Sequence, residues 1–334
     1  MHPFTYERAT GVSDAVRRAS AGAGDVAYLA GGTNLLDHLR LGVRAVDRVV
    51  DVSHLDLAAV TELPDGGISL GAMARNSDVA AHPLVRERFP LVSAAMLAGA
   101  SGQLRNMATI GGNLLQRTRC VYFQDTTTPC NKREPGTGCS AVEGYGTYNA
   151  LLGASERCVA VHPSDLCVAL AALDTTVVVE GADGPRRLDF ADLHRLPGEH
   201  PERDTTLDPG DLITAVELHG PAFARHARYR KLRERASYAF ATVSVAAALE
   251  VTDGLVSGVR LGLGGVAHAP HRAHRAEQLL LGGPATHEAF TAAVDAELEP
   301  ARTGPGNAYK VTQLRRVVPA VLAELAGAGA AGAR

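Results

Sequence analysis

Apolar and polar residues alternate with short periods along the first part of the chain. Apolar runs of roughly four to eight residues, bounded by turn-forming residues, predict buried strands. Stretches with apolar residues three or four apart predict short helices, and Ser13 occupies the N-cap position of the first one. The predicted strands are Val26–Ala30, Arg48–Val52 and Gly67–Ala72, and the predicted helices are Ser13–Ala19, Ser77–Ala81 and Leu91–Ala100.

Residues 118–152 show almost no periodicity and are rich in Thr, Pro, Gly and Cys. A loop of this length inside a compact domain is uncommon, and it is normally either functional or disordered. A bound metal cluster would order it. We expect regular structure to resume with a helix over Ser164–Leu173 and a strand over Thr175–Glu180.

A second unit is predicted to begin near Gly220–Pro221, a pair typical of a domain boundary. The apolar, β-branched stretch Ser237–Val251 predicts either a strand or a buried helix, and a strand over Leu255–Leu263 should follow a turn. The remaining predicted helices are Ala273–Leu281, His287–Glu297 and Ala308–Leu325. Because strands and helices do not keep a strict β-α-β rhythm, the fold class predicted is α+β.

Composition narrows the function without identifying it. The chain has 334 residues, of which 46% are hydrophobic, so two or three domains with full cores are expected. A net charge of −3 gives no electrostatic case for binding nucleic acid. The first residues lack the apolar region of a secretory signal, and no apolar run is long enough to span a membrane. The Gly/Ala-rich tail, residues 326–334, is expected to be frayed.

Two related glycine pairs are the first candidate binding motifs. The segments Ala30–Leu36 and Thr109–Leu115 share a Gly-Gly-(Thr)-Asn-Leu-Leu pattern, and the first follows a predicted strand. Paired glycines allow successive backbone N–H groups to converge on an anion, and Thr33 and Asn34 add side-chain donors. One such pair alone is usually a tight turn. Its recurrence favours two loops that hold one pyrophosphate from opposite sides.

Gly262–Ala267 comes closer to the dinucleotide-binding pattern G-x-G-x-x-G, but it is a decoy. His268 and Pro270 follow where a helix should begin, and no acidic residue lies about 20 residues further on. A glycine-rich strand end explains it better. Three histidines between His268 and His274 imitate a metal site, but Pro270 breaks any helix through them. We expect an exposed turn there.

Four cysteines with the spacing C-x9-C-x8-C-x18-C fall in the aperiodic segment: Cys120, Cys130, Cys139 and Cys158. Wide, irregular spacing suits an iron–sulfur cluster held by a loop, whereas zinc sites more often contain C-x2-C pairs. Zinc, a disulfide and unligated thiols remain alternatives. Nearby Arg and Lys residues would stabilise an anionic cluster. Cys167 lies in an apolar helical run and is predicted to be core.

The basic segment that starts at Lys231 is either a solvated face or a source of positive charge near a flavin. The chain contains no convincing nucleophile–base set and no paired carboxylates, so no catalytic residue is predicted. Any chemistry would belong to a cofactor.

Taken together, these motifs resemble the FAD-binding medium subunit of the molybdenum hydroxylases, the family of xanthine dehydrogenase and carbon monoxide dehydrogenase. The likeness covers nearly the whole chain. It includes both glycine loops, His2–Tyr6, Gln103–Thr109, Pro209–Ile213 and Asn307–Thr312. Most members lack the cysteine segment. Gln116–Thr126, Pro129–Cys139 and His162–Asp165 are most similar to the flavin subunits of bacterial periplasmic aldehyde oxidoreductases, which carry an extra [4Fe–4S] cluster.

The resemblance implies a fold and a set of site residues. Residues 1–220 would form a two-lobed FAD domain of the vanillyl-alcohol-oxidase type, with a [4Fe–4S] loop at about 116–160, and residues 221–325 a smaller α+β domain. The four cysteines named above would bind the cluster. The implied FAD contacts are Leu29, Ala30, Gly31, Gly32, Thr33, Asn34, Leu35, Leu36, Ser101, Thr109, Gly111, Gly112, Asn113, Asp165, Ile213 and Lys231.

The function implied is electron transfer within a heterotrimeric molybdenum-containing aldehyde oxidoreductase. A large partner would hold molybdenum, a small partner would hold [2Fe–2S] centres, and electrons would pass through FAD to an external acceptor. Rival functions are the flavin subunit of an aromatic acyl-CoA reductase or of a xanthine dehydrogenase-like hydroxylase, and a cluster-bearing structural module without a redox role. The expected location is the cytoplasm, or the periplasm if the chain is exported with a signal-bearing partner.

Overall fold

The computed structural model describes residues 1–22 and 24–332, with Pro221, Ala222 and residues 328–332 described by their backbone alone. The first elements are β1 (Thr5–Arg8), α1 (Val12–Ser20), β2 (Val26–Leu29), α2 (Leu35–Leu41) and β3 (Arg48–Asp51). The three strands form a parallel sheet in the order β1-β3-β2, which is the core of the first lobe.

The second lobe is built on a five-stranded antiparallel sheet. Its elements are β4 (Val60–Glu62), β5 (Ile68–Gly71), α3 (Asn76–Ala81), α4 (Pro83–Arg88), α5 (Pro90–Ala98), α6 (Gly102–Arg105), α7 (Ile110–Leu114), α8 (Val121–Gln124), α9 (Asp165–Ala171), β6 (Asp174–Gly181), β7 (Gly184–Asp189), α10 (Phe190–Leu193) and β8 (Leu212–His219). The strand order is β4-β5-β8-β6-β7. One hydrophobic cluster joins this sheet to α5 and α9.

The C-terminal domain packs helices on a four-stranded antiparallel sheet in the order β12-β11-β10-β9. Its elements are α11 (Pro221–Ala224), β9 (Ala227–Leu232), β10 (Val243–Thr252), β11 (Leu255–Gly264), β12 (His271–Arg272), α12 (His274–Leu280), α13 (His287–Glu297) and α14 (Tyr309–Gly332). Sheet membership changes between β8 and β9, on either side of Gly220.

Strand β10 is buried on both faces, which explains why its sequence also suited a buried helix. Val243, Val245, Ala247 and Leu249 contribute to the C-terminal core. Ala246, between them, packs into the core of the N-terminal domain. Side chains alternate across a strand, so β10 serves two cores at once. The sequence of such a strand is a continuous run of apolar residues rather than an alternation of apolar and polar ones.

The α+β class is confirmed, and the predicted strands and helices lie within a few residues of those observed. Strand β1 was missed, because its side chains are largely exposed and supply no apolar pattern. Strands β4, β7, β8, β9 and β12 were not predicted either. The last helix, α14, includes residues 326–332, so most of the tail expected to be frayed is helical. Residues 333–334 of that tail lie outside the described residues. None of the described helices has the length and apolarity required to cross a membrane.

Candidate functional site

A deep cleft with a volume of about 1610 Å³ opens between the lobes and the C-terminal domain. Sites for drug-sized ligands occupy roughly 300–1,000 Å³, so this cleft has room for a dinucleotide. Most residues predicted to contact FAD line it: Ala30, Gly31, Gly32, Thr33, Asn34, Leu35, Leu36, Thr109, Gly111, Gly112, Asn113, Asp165, Ile213 and Lys231. Leu29 and Ser101 are not among the lining residues, and Ser101 instead caps α6.

The first glycine loop, between β2 and α2, presents free backbone donors to the cleft. Among the described residues, no protein acceptor pairs with the amides of Gly31 through Leu35. Gly31 has no room for a side chain, because a Cβ would lie 1.9 Å from the carbonyl oxygen of Met107. Gly32 has a left-handed φ of 72°, which favours glycine. Five consecutive N–H groups of this kind form an anion-binding concavity.

The second glycine loop is built differently. The Gly111 amide donates to the Ala72 carbonyl at 2.9 Å, and the Asn113 amide donates to Thr109 at 2.8 Å. The Gly112 amide donates to the Thr109 hydroxyl at 3.3 Å, which caps α7. These amides are therefore committed within the protein. The second loop therefore does not offer free amides to an anion, as was expected of both loops, and for the first loop the expectation remains a prediction.

Asp165 and Lys231 form a preformed ion pair in the cleft wall. The Asp165 side chain lies in the first turn of α9, and its Oδ2 is 2.8 Å from Lys231 Nζ. Its Oδ1 accepts a bond of 2.6 Å from the Tyr229 hydroxyl. Burial, followed by the Asp165 charge, raises the pKa of Tyr229 well above its usual value. Lys231 also donates to the Ala98 carbonyl at 3.1 Å. The predicted cation is thus held by a carboxylate rather than free.

The cysteine segment forms an ordered loop whose thiols are unpaired. None of the five cysteines is in a disulfide. The backbones of Cys130 and Cys139 pair in an isolated antiparallel β-bridge. Burial raises the pKa of Cys158 to about 12; Lys132 acts against this, while Cys139 and Cys120 add to it. Burial likewise raises the Cys120 pKa, with smaller contributions from Cys130 and Cys139. Cys120 is therefore close enough to Cys130 and Cys139, and Cys158 to Cys139 and Cys120, for electrostatic interaction.

Cation–carbonyl and cation–ring contacts order the loop. Arg133 donates to the Tyr122 carbonyl at 2.8 Å and to the Phe123 carbonyl at 2.9 Å. The Phe123 ring is fully buried, and the Arg117 guanidinium lies 4.8 Å from its centroid. The Arg117 amide donates to the Asn34 side chain at 3.1 Å. Because Asn34 belongs to the first glycine loop and Cys120 lines the cleft, the cleft and the cysteine loop share a wall.

A buried polar network lies behind the loop. Lys132, only 3% exposed, pairs with Asp204 and donates to the Pro201 carbonyl at 2.7 Å. Arg117 Nε lies 2.6 Å from the same carboxylate. Burial raises the Asp204 pKa, but Lys132 and Arg117 outweigh it and lower the pKa to about 2. Two cations share one carboxylate, so the network leaves net positive charge beside the cysteines.

His268 belongs to this network, which corrects the expectation of an exposed turn. It is 5% exposed, and its Nε2 accepts a bond of 3.1 Å from Lys132. Burial and then the Lys132 charge lower the pKa of His268 to about 4, so the ring is neutral at pH 7. His271 pairs instead with Glu297 at 2.8 Å. The histidines of this segment face different partners and do not form a metal site.

His162, Cys167 and His194 place three ligand-type atoms within 4.8 Å of one another. Closed structural metal sites normally have four ligands. His194 Nε2 is already bonded to the Leu114 carbonyl at 2.9 Å. Cys167 is fully buried, as predicted, and burial raises its pKa to about 12. We assign this group to packing behind the second glycine loop.

Two family models together cover almost the whole chain. Residues 2–219 match the FAD binding domain in molybdopterin dehydrogenase, and residues 227–323 match the CO dehydrogenase flavoprotein C-terminal domain. The chain is a member of the FAD-binding medium subunits of the molybdenum hydroxylase family. The resemblance drawn from the motifs is therefore confirmed. As a member of this family, the chain is a component of an oxidoreductase.

Individual relatives agree with this assignment. The aldehyde oxidoreductase FAD-binding subunit PaoB of Escherichia coli (strain K12) is 46% identical over 326 residues, covering 97% of this chain and 98% of that protein. The carbon monoxide dehydrogenase medium chain of Hydrogenophaga pseudoflava is 28% identical, with 96% of both chains covered. Quinoline 2-oxidoreductase from Pseudomonas putida 86 has the same fold, with a TM-score of 0.74, 20% identity and 98% of both chains covered.

None of the motifs predicted the network around Asp204, although the scarcity of lysine is a signal that could have found it. The chain has three lysines among its 33 basic residues, and Lys132 is one of them. A residue type used so rarely marks positions where arginine does not suffice, because the ammonium is a compact point charge. Asp204 itself carried no signal, because it lies in an unremarkable polar stretch far from the cysteines in sequence.

We predict that Gly31→Ala weakens FAD binding about tenfold to a hundredfold. The new Cβ must displace the Met107 backbone, and overpacking of this kind costs roughly 1–3 kcal/mol. FAD released on denaturation, measured per chain after dialysis, reports the loss. Gly102→Ala is the matched control, because a Cβ at Gly102 meets nothing within 4 Å. Full FAD retention by Gly31→Ala would show that the loop packing does not support the cofactor site.

Acid should destabilise the protein through His268. The folded-state pKa of about 4 lies below the unfolded value of about 6.5, so the unfolded chain binds more protons between these values. The contribution of the neutral His268 ring to the free energy of unfolding is therefore complete above pH 6.5 and is lost as the pH falls towards 4. From pH 7 to pH 5, the free energy of unfolding of His268→Gln should fall by about 1–2 kcal/mol less than that of the wild type, as measured by urea unfolding.

The exposed His287 provides the control for this experiment. His287→Gln should follow the wild-type pH dependence. Equal acid sensitivity of the His268→Gln variant and the wild type would contradict the role given to the buried ring.

Proposed function

We propose that this chain is the electron-transfer flavin subunit of a three-subunit, molybdenum-containing aldehyde oxidoreductase, and that it carries both FAD and a [4Fe–4S] cluster. The observation that carries the proposal is the shared wall between the cleft and a loop with four unpaired cysteines, with Cys120 in both. The 46% identity to an aldehyde oxidoreductase subunit supports the substrate class.

The cleft suits FAD in size and in its donors. The free amides of residues 31–35 would hold the pyrophosphate, because among the described residues none of them has a protein acceptor. The Asp165–Lys231 pair would meet polar groups of the cofactor, and Ile213, 2% exposed on β8, would pack against its ring. When bound, FAD supplies the ability to exchange one or two electrons with different partners. The protein's part is to bind and orient it.

The cysteine loop suits a cluster in ligand number, spacing and charge. The Cys158 proton is held tightly, since burial raises the pKa of this thiol to about 12, and a coordinating metal removes such a proton outright. Lys132 and Arg117 place excess positive charge behind the loop, which favours an anionic cluster over an empty set of neutral thiols. A four-thiolate zinc site is anionic too, so the absence of C-x2-C pairs, rather than the charge, favours the cluster over zinc.

Substrate oxidation is assigned to a partner. The sequence offers no set of catalytic residues, and the family to which the chain belongs is defined by its FAD-binding domain. Electrons would leave molybdenum in a large subunit, pass [2Fe–2S] centres in a small subunit, reach this chain and continue to an external acceptor. In this scheme the chain connects a fixed donor to a diffusing acceptor.

Cluster binding predicts about four irons per chain, lost on single Ser substitution of Cys120, Cys130, Cys139 or Cys158. Cys167→Ser is the matched control, because it makes the same change at a buried thiol outside the loop. It should keep its iron and lose only stability, roughly 1–3 kcal/mol for burying a hydroxyl. Iron and acid-labile sulfide are assayed after anaerobic purification. Iron loss only in the Cys167 variant would reverse the ligand assignment.

The subunit role predicts that aldehyde reduces the flavin only through partners. Anaerobic addition of an aromatic aldehyde should leave the flavin absorbance of the isolated chain unchanged, and should bleach it once the molybdenum and [2Fe–2S] subunits are added. A chemical reductant should bleach the isolated chain, and an artificial acceptor should restore its colour. Bleaching of the isolated chain by aldehyde would require an active site within this chain and would refute the proposal. Failure to reoxidise would favour a structural module.

A further inference from the structure

Lysine is confined to three positions in this chain, against thirty arginines, and all three are buried. Lys132 and Lys310 are 3% and 0% exposed, and the Lys231 side chain is 3% exposed. Burying a lysine is costly unless its ammonium is fully bonded. Each of these lysines therefore occupies a site built to receive it.

Lys310 differs from the other two because no carboxylate in the described part of the chain forms an ion pair with it. Lys132 pairs with Asp204, and Lys231 pairs with Asp165. The Lys310 ammonium donates instead to two backbone carbonyls, that of Asn149 at 2.9 Å and that of Gly265 at 2.7 Å. Burial lowers its pKa to about 7. A group kept at this electrostatic cost has a structural task that an apolar residue does not perform.

The neighbours of Lys310 hold the same segment. Asn307, 1% exposed, donates from Nδ2 to the Ala150 carbonyl at 3.2 Å. The Tyr309 hydroxyl donates to the Thr147 carbonyl at 3.1 Å. Three side chains at the start of α14 thus bind the backbone of residues 147–150. These donors come from the C-terminal domain, whereas the acceptors belong to the N-terminal domain.

The segment held in this way lies between the third and fourth cysteines of the loop. The Ala150 amide donates to the Val159 carbonyl at 2.8 Å, one residue beyond Cys158. The Leu151 amide donates to the Val266 carbonyl at 2.7 Å, so the segment is fixed on the strand end that follows Gly265. A continuous path of hydrogen bonds therefore runs from Lys310 to the backbone next to Cys158.

We propose that Lys310 is a positioning residue through which the C-terminal domain holds the cysteine loop in its cluster-binding conformation. The inference rests on the proposed cluster. Replacing the ammonium by an apolar group leaves the Gly265 carbonyl without its donor and leaves the Asn149 carbonyl with only the Asn307 amide at 3.4 Å. The segment then loses its buried charged anchor and keeps only the neutral hydrogen bonds of Asn307, Tyr309 and the Leu151 amide, so the backbone beside Cys158 is held less firmly.

The test compares Lys310→Met with Leu322→Ala in the full-length chain, purified anaerobically. Leu322 is a fully buried core residue of the same helix, about 18 Å along the axis from Lys310, so its truncation destabilises the domain without touching residues 147–150. The measurements are the iron-to-FAD ratio, the electron paramagnetic resonance spectrum after reduction, and hydrogen exchange of residues 118–159.

Lys310→Met should reduce the iron-to-FAD ratio at least twofold, broaden or shift the spectrum of the remaining cluster, and speed exchange in residues 118–159. Leu322→Ala should keep the wild-type ratio and spectrum, although it unfolds more easily. A wild-type ratio and spectrum in Lys310→Met would overturn the inference, as would equal losses of iron and FAD in both variants. A wild-type chain without iron would instead refute the proposed cluster. Hydrogen exchange would then decide, on its own, whether Lys310 anchors the loop.

Discussion

The pairing of Asp204 with Lys132 and Arg117 is the interaction on which the cysteine loop depends. The loop has a small apolar cluster of its own, centred on Phe123, so it cannot be held by hydrophobic burial alone. Breaking a buried ion pair by removing one partner typically costs about 3–5 kcal/mol, because the remaining charge is left uncompensated. Asp204 therefore fixes two cations of the loop at once, and through Arg117 it fixes the wall shared with the cleft.

That shared wall makes the two proposed cofactor sites mechanically dependent. The Arg117 amide bonds to Asn34, and Asn34 stands in the loop whose amides face the cleft. A shift of the cysteine loop would therefore move the donors of the first glycine loop. The second glycine loop does not share this dependence, because its amides are bonded to Ala72 and Thr109. Among the described residues, the first loop leaves its amides without protein acceptors, whereas the second loop bonds them within the protein.

The C-terminal domain contributes to both sites although it lies after the FAD-binding domain in the sequence. Strand β10 serves the cores of both domains, so the two cannot separate without exposing apolar surface. Lys231 reaches from β9 to Asp165 in the cleft, and Lys310 reaches from α14 to the backbone of the cysteine loop. The domain is therefore a scaffold for the neighbouring sites rather than an independent module.

The sequence by itself determined the local elements, the first glycine loop and the core position of Cys167, because periodicity, strand-end glycines and apolar helical runs act over a few residues. It also carried enough motifs to indicate the family, later confirmed over residues 2–219 and 227–323. Only the tertiary structure decided the partners of the buried charges. Lys132 meets Asp204 and His268 across 72 and 136 residues, and Lys310 meets Asn149 across 161. No local pattern encodes such pairs, because burial turns an ordinary charged residue into a costly one only when the chain has folded around it.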